Sequence, residues 1–355
     1  MIEYIDIAGF KKVEGILDNT LFMLVIKSQD QIERRRRMIE SRKKGKFGRI
    51  NQRPVATGLV TAVELKKGKV DVLWKKEFRE PRHIKRHPEK GYILTEVDDV
   101  LWINEEANII SKFKYPFFSF LHSVDLSDDN QRILITSSGY DCCFEIDIDK
   151  WQVVWEWFAW ENGFNPDEDG NWLAVKKEKY LEYLKEGKKS ILVDPCKYKE
   201  YGIATSYRTA HPNVAVYDIY YKNCILVCIA HKGEIYRINK SNFSMTCVCK
   251  KLNQMPHGIY PYKNWWMITN TVKGEWWLFT ENWTPLRVFV VKNLPYKVPG
   301  TEEVEWLQQV IPITQYLFLA IDANRGLIGI DIKEKRYSLY RPDPNWCIQD
   351  ALFIK

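Results

Sequence analysis

The chain repeats itself, and the repeat limits its fold more than any other feature. "HIKRHPEKGYILT" runs from His83 to Thr95, and "HGIYPYKNWWMIT" from His257 to Thr269. They have equal length, and each closes on a short apolar run. "HSVDLSDDNQRILIT" (His122–Thr136) has two more residues in its turn, and "HPNVAVYDIYYKNCILVC" (His211–Cys228) a longer turn still. "QQVIPITQYLFLA" (Gln308–Ala320) matches without a gap, with glutamine in the histidine slot. A third apolar run follows ("DCCFEIDI", "GEIYRIN", "GEWWLFT", "GLIGIDI"), then a fourth ("KWQVVWEW", "SMTCVCKK", "PLRVFVV", "RYSLYRP"). Four strands joined by turns in about 40 residues is the unit of a β-propeller blade.

The count gives five blades, at about 79–118, 119–158, 205–250, 254–293 and 303–341. A sixth is assembled from both ends. "LFMLVIK", "GLVTAVEL" and "KVDVLWKKEF" supply three strands, and the C-terminal "WCIQDALFIK" resembles the first strand of a blade. The N-terminal "YIDIAGF" competes for that closing role. The expectation is an all-β, six-bladed β-propeller forming a single domain over 1–355, with N- and C-terminal strands closing one blade. Such closure removes exposed sheet edges.

Two insertions interrupt the repeat. A basic loop insertion at about 28–50 falls between two strands of the N-terminal blade and reads as a mobile loop or a short exposed helix. A helical insertion at about 160–204 contains "NWLAVKKEKYLEYLKEGKK", whose spacing places Leu173, Tyr180, Leu181 and Leu184 on one side, as a lid over one face would require.

Charge is as uneven as the pattern. Gln31–Arg49 carries nine Lys/Arg against two Glu, an excess that equals the whole net charge of +7. The eight cysteines show no metal-type spacing. The N-terminus has no basic leader before an apolar region, and no run of about 18 apolar residues exists. A cytoplasmic chain with free thiols, no membrane association and a monomeric state is therefore expected.

Four of the six histidines, His83, His122, His211 and His257, fall in one register of the repeat, and Gln308 completes the series. First strands line the central channel of a propeller, so equivalent positions converge on one axis. A purely structural slot would be filled as well by Leu, Val or Ser. A ring of imidazoles reads as a polar site, or as the solvated lining of a water-filled channel. His87, in a turn, is expected to be exposed. His231 is placed at a rim turn. "NWWMIT", "EWWLFT" and "VVWEWFAW" read mainly as packing between blades. One of Trp265 and Trp266 is left to face the channel, and Trp266 is a candidate for stacking on an aryl group.

"HSVDLSDDNQRILITSSGYDCCFEIDIDKWQVVWEW", followed by an insertion and by "HPNVAVYDIYYKNCILVCIAHKGEIYRIN", resembles the bacterial arylsulfate sulfotransferases over about 120–290. The shared motifs are a histidine opening one blade, a Trp-rich strand end and a His-x-Asn opening a later blade. The resemblance implies a six-bladed propeller in which a central histidine carries the sulfuryl group of an aryl sulfate. His257 is then the nucleophile, with His122, His211 and Asn213 as oxygen ligands or proton carriers. His83, Asn213, Gln308 and Trp266 bind the small, aromatic substrate. The family arginine has no counterpart in "ILVCIAHKGE", where Ala230 and His231 stand, so Arg82 or Arg208 is the substitute. No cofactor is needed on this reading.

Two other readings use the same residues differently. Three or four imidazoles on one axis suit Fe²⁺ or Zn²⁺, with His83, His122, His211 and His257 as ligands. A non-catalytic propeller would instead dock a partner. The basic segment 31–49 then binds nucleic acid or an acidic protein by phosphate contacts, lost on deleting Arg34–Arg49.

Overall fold

The computed structural model describes residues 2–44, 55–195, 209–250, 252 and 255–355. The fold is a six-bladed β-propeller. Numbered in chain order from the N-terminal strands, blade I consists of Ile348–Phe353, Thr20–Ile26, Thr57–Lys66 and Lys69–Arg79, in that spatial order. The C-terminal segment thus supplies the first strand of the N-terminal blade. It runs antiparallel to Thr20–Ile26, with Leu352 opposite Met23. Blades II to VI begin at His83–His87, Leu121–Leu126, Pro212–Tyr217, His257–Tyr262 and Leu307–Pro312. Each is a four-stranded antiparallel meander in sequence order.

"YIDIAGF" does not close the ring. Glu3–Asp6 adds a parallel fifth strand to the outer edge of blade V, along Pro285–Val290. Lys11–Lys12 does the same for blade VI, along Arg336–Tyr340. The burial of the two segments matches their places. Glu3–Asp6 is mostly exposed, whereas Ile348 and Ala351 are buried and fit an enclosed first strand. Two outer edges are thereby covered, which protects them from pairing with other chains.

The chain divides into two compact units. One contains 1–40, 56–84 and 247–355; the other contains 41–55 and 85–246. In the first, Trp276, Phe289 and Phe318 pack with Leu307, Val310 and Ile328, and a neighbouring cluster joins Phe22, Leu24, Val63, Leu319 and Tyr340. In the second, Phe144, Phe158, Trp160 and Tyr140 form the largest cluster, and Trp157 packs with Ala215, Val227 and Ile238.

The basic insertion is a helix, α1 (Gln31–Lys43), over the part described; residues 45–50 lie outside the described residues. It is not simply an exposed element. Arg35 is buried; its Nη2 donates to the Val304 carbonyl at 3.2 Å and to the Asn324 side chain. Arg34 and Arg37 pair with Asp30, and Arg36 with Glu33 and Glu40. The four arginines are therefore held within the chain.

The other insertion forms a second helix, α2 (Lys177–Lys185), beside a two-stranded parallel pair, Trp172–Ala174 and Ser190–Leu192. The expected apolar face is wrong. Leu181 and Leu184 are exposed, Leu173 belongs to a strand, and Tyr183 is the buried helical residue. Tyr183 packs on Trp172, with ring centroids 5.0 Å apart, and its hydroxyl donates to the Trp160 carbonyl. An aromatic ring with a hydrogen-bonding tip won the interior position over two leucines. Residues 196–208, including Arg208, lie outside the described residues.

Candidate functional site

The histidines occupy first strands or their approach, but not a single ladder position. Each first strand of blades I, III, IV, V and VI carries a bulge, where one residue is left out of the pairing. The bulge residues are Gln349, His122, Asn213, Gly258 and Gln308. His257 is instead paired with Thr269, one residue before its bulge. His211 precedes its strand altogether. Blade II falls into line through its amides. Ile84 N–H donates to Asp350, just after the bulge of blade I, as Ala215 N–H donates to Ser123, just after the bulge of blade III. Arg82 thus corresponds to Asn213, and His83 to Val214. Aligning by turn length cannot register a bulge, which adds a residue to one strand only and re-aims the side chain there.

In the first unit, His257 is 4% exposed. Its Nδ1 lies 2.9 Å from the Met255 carbonyl oxygen and 2.9 Å from Thr271 Oγ1. A carbonyl only accepts, so Nδ1 carries the proton and Nε2 the lone pair. Burial pushes the imidazole pKa down to about 4; the Met255 bond opposes this, and the positive charges of Lys27 and Arg82 add to it. The ring is neutral at pH 7. Trp306 lies against it, with centroids 5.9 Å apart, and donates from Nε1 to Gln308 Oε1 at 2.8 Å. The buried Arg35 guanidinium of α1 sits 5.1 Å from the Trp306 ring.

Arg82 bonds the fully buried Glu80 at 2.6 Å, and Lys27 Nζ lies 3.8 Å from the same carboxylate. Two cations therefore share one anion near His257. His83 Nε2 is 3.5 Å from Asp350. Asp350 also accepts from Ile84 N–H at 2.9 Å, Gln309 Nε2 at 2.7 Å and Ala351 N–H at 2.9 Å. Gln309 Nε2 meets the Tyr260 hydroxyl as well. Glu80 lies in no recognisable motif, and the position of Asp350 in the sequence is too loose to assign it to a histidine. An acid one residue past a bulge could have been found only after the bulges were placed.

In the second unit, His122 and His211 meet edge to face with centroids 5.7 Å apart, and His211 stacks on His231 at 5.0 Å. His231, set at a rim turn, thus joins the histidine group. His211 adopts φ +52°, and buried Asp141 holds the turn. Its carboxylate accepts from the backbone N–H of Ala210 (2.8 Å) and His211 (2.9 Å), and from Trp160 Nε1 (3.1 Å). Asn213 is fully buried next to this group.

Two further expectations are corrected. His87 is buried, not exposed. Its Nδ1 accepts from Glu89 N–H, its Nε2 donates to the Asn130 carbonyl at 3.2 Å, and it packs on Trp102. Trp266 has no surface to offer a substrate. It is 0% exposed and stacked on Trp283 at 5.9 Å, because its side of the strand faces the sheet interior. Among the described residues, no three His, Cys, Asp or Glu side chains are grouped so as to hold a metal ion. Seven cysteines are free thiols, and Cys196 lies outside the described residues. No helix, among the described residues, is long and apolar enough to cross a membrane.

The fold has solved counterparts. The chain is similar to a protein of unknown function from Bacteroides caccae, with TM-score 0.53, 10% identity and coverage of 86% of this chain and 98% of the other. It is also similar to a chain of a nidogen/laminin complex, with TM-score 0.54, 7% identity and coverage of 93% and 97%. The Pan2 WD40 domain of Neurospora crassa aligns with TM-score 0.47, 10% identity and coverage of 82% and 77%. At such identities the likeness concerns the fold alone. No protein-family model matches the chain, and neither does any curated protein.

Proposed function

We propose that the chain is an arylsulfotransferase-like enzyme for a small aromatic substrate, with His257 as the group that carries the sulfuryl moiety. The observation behind this reading is the state of His257. Its Nδ1–H is engaged by Met255, it is neutral at pH 7, and the charges of Arg82 and Lys27 act on it. A neutral imidazole with a basic Nε2 is a competent nucleophile, and nearby cations stabilise the charge that gathers on sulfuryl oxygens. In the step, Nε2 forms a bond to sulfur while the aryl S–O bond breaks and its electron pair leaves with the phenolate. An acceptor hydroxyl then attacks sulfur, passing its proton to water, and the N–S bond returns its pair to Nε2. Arg82 takes the place of the family arginine, with His83 and Gln308 as polar neighbours. Seven free thiols favour a reducing compartment, and we place the enzyme in the cytoplasm.

The test is rapid mixing of the protein with 4-nitrophenyl sulfate. Wild type should release nitrophenolate, His257→Ala none, and Arg82→Gln should slow release roughly 10²-fold or more. Release unaffected by His257→Ala, or no release by wild type with phenol as acceptor, would remove the reading.

A further inference from the structure

The first unit holds a cavity of about 520 Å³ away from His257, walled by Ile32 of α1, Ile321, Pro342, Trp346 and Ile348, with Tyr296 among its outer residues. Its volume falls within the range of small-molecule sites, roughly 300–1,000 Å³. The walls come from a helix, a strand end and the proline-bearing segment 341–346, so the shape is set by rigid parts. The polar groups are unevenly committed. Lys297 is paired with Glu305, and Arg325 with Asp322 and Glu305. Asp343, also in the wall, accepts from Asn345 N–H at 2.9 Å. Arg341 and Lys12 differ. Among the described residues, neither has a carboxylate partner, and both approach the exposed Tyr296 ring. Lys12 Nζ lies 4.4 Å from its centroid and Arg341 Cζ 5.6 Å.

We propose that this cavity binds a small anionic amphiphile: a ring-sized apolar body with one carboxylate, sulfate or phosphate head. The body replaces water against the isoleucines and Trp346. The head lies at the mouth beside Arg341, with Lys12 against the same Tyr296 ring; of the two wall carboxylates Asp322 is paired with Arg325, which leaves Asp343 facing these two cations. Tyr296 offers a flat face to the body and holds both cations in place. The site shares no residue with the His257 neighbourhood and does not depend on sulfuryl transfer.

The experiment is fluorescence titration with 8-anilinonaphthalene-1-sulfonate and with the uncharged N-phenyl-1-naphthylamine. Wild type should bind both saturably. The double variant Lys12→Gln/Arg341→Gln, altered only at exposed positions, should bind the sulfonate about threefold to tenfold more weakly and the neutral probe unchanged. Ile32→Trp, which fills the cavity from a partly exposed position, should weaken both, and His257→Ala neither. Wild type that binds neither probe saturably overturns the proposal. So does a double variant that keeps full sulfonate affinity, or an Ile32→Trp variant that binds both probes as wild type does.

Discussion

The Nδ1 of His257 lies 2.9 Å from the carbonyl oxygen of Met255, and this contact fixes which nitrogen of a buried imidazole holds the proton. The burial of that imidazole makes stability depend on pH. The native pKa, depressed by burial to about 4, lies below the ordinary value of 6.5 that the unfolded chain restores. Above pH 6.5 both states are neutral and the full stability is present. As pH falls from there towards 4, the unfolded state takes up a proton that the native state refuses. Stability is lost through that window, by up to about 3 kcal/mol. His257→Asn keeps a donor near Met255 but does not titrate. Urea unfolding at about pH 7 and about pH 4.5 should show wild type losing about 2 kcal/mol more than the variant. Equal losses would contradict the assignment.

Arg35 and Arg36 are neighbours on α1 with opposite commitments. Arg35 is buried on Val304, Asn324 and Trp306, whereas Arg36 bonds Glu33 and Glu40 in solvent. Arg35→Ala leaves the buried Asn324 side-chain oxygen without this donor, while the Val304 carbonyl keeps Asn324 Nδ2, and it uncovers Trp306; it should cost about 2–4 kcal/mol. Arg36→Ala should cost far less, because its ion pairs are in water, and salt reduces the cost further. Thermal unfolding of the two variants side by side checks this, and similar losses would refute it.

Most of the fold was legible because a propeller repeats its strand order, and the repeat survives in the apolar runs. "WCIQDALFIK" resembles the first strand of a blade, but "YIDIAGF" competes with it, and only the pairing with Thr20–Ile26 decides between them. Bulges were not legible. His122 and His257 look equivalent when the blade openings are aligned, yet one is a bulge residue and the other is ladder-paired. A bulge leaves no composition signal, since His, Asn, Gln and Gly all fill it here. Nor could spacing find Asp350, whose partners Ile84 and Gln309 are 266 and 41 residues away. Tyr183 was missed for a different reason. Helical periodicity finds apolar faces, and a tyrosine whose hydroxyl needs a buried acceptor is not distinguished by it.

Asp350 should be among the most sensitive polar positions in the first unit. It is 2% exposed and accepts from two backbone amides and one side-chain amide. Asp350→Ala strands those donors and should cost about 3–5 kcal/mol. Asp350→Asn keeps the shape but turns one acceptor into a donor facing donors, so it should recover less than half of that loss. Chemical denaturation of both variants measures it. An asparagine variant as stable as wild type would show that charge and acceptor count do not matter there.

Gly258 is the glycine among the bulge residues, and it sits between His257 and Tyr260. Its φ of +59° is left-handed, and a Cβ there would lie 3.1 Å from Tyr260 Cε2 and 3.2 Å from both Gln309 Cγ and Thr269 Oγ1. His122, Asn213 and Gln308 fill their bulges without a positive φ, so an L side chain is acceptable there and strained here. Gly258→Ala should lose about 1–2 kcal/mol from backbone strain, and more if the three neighbours do not yield. Because the strained residue is bonded to His257, the imidazole should also shift away from Met255. The His257 ring resonances in an NMR titration should then move along with the unfolding midpoint. If Gly258→Ala lowers stability without moving them, the bulge supports the strand but does not set the position of the histidine.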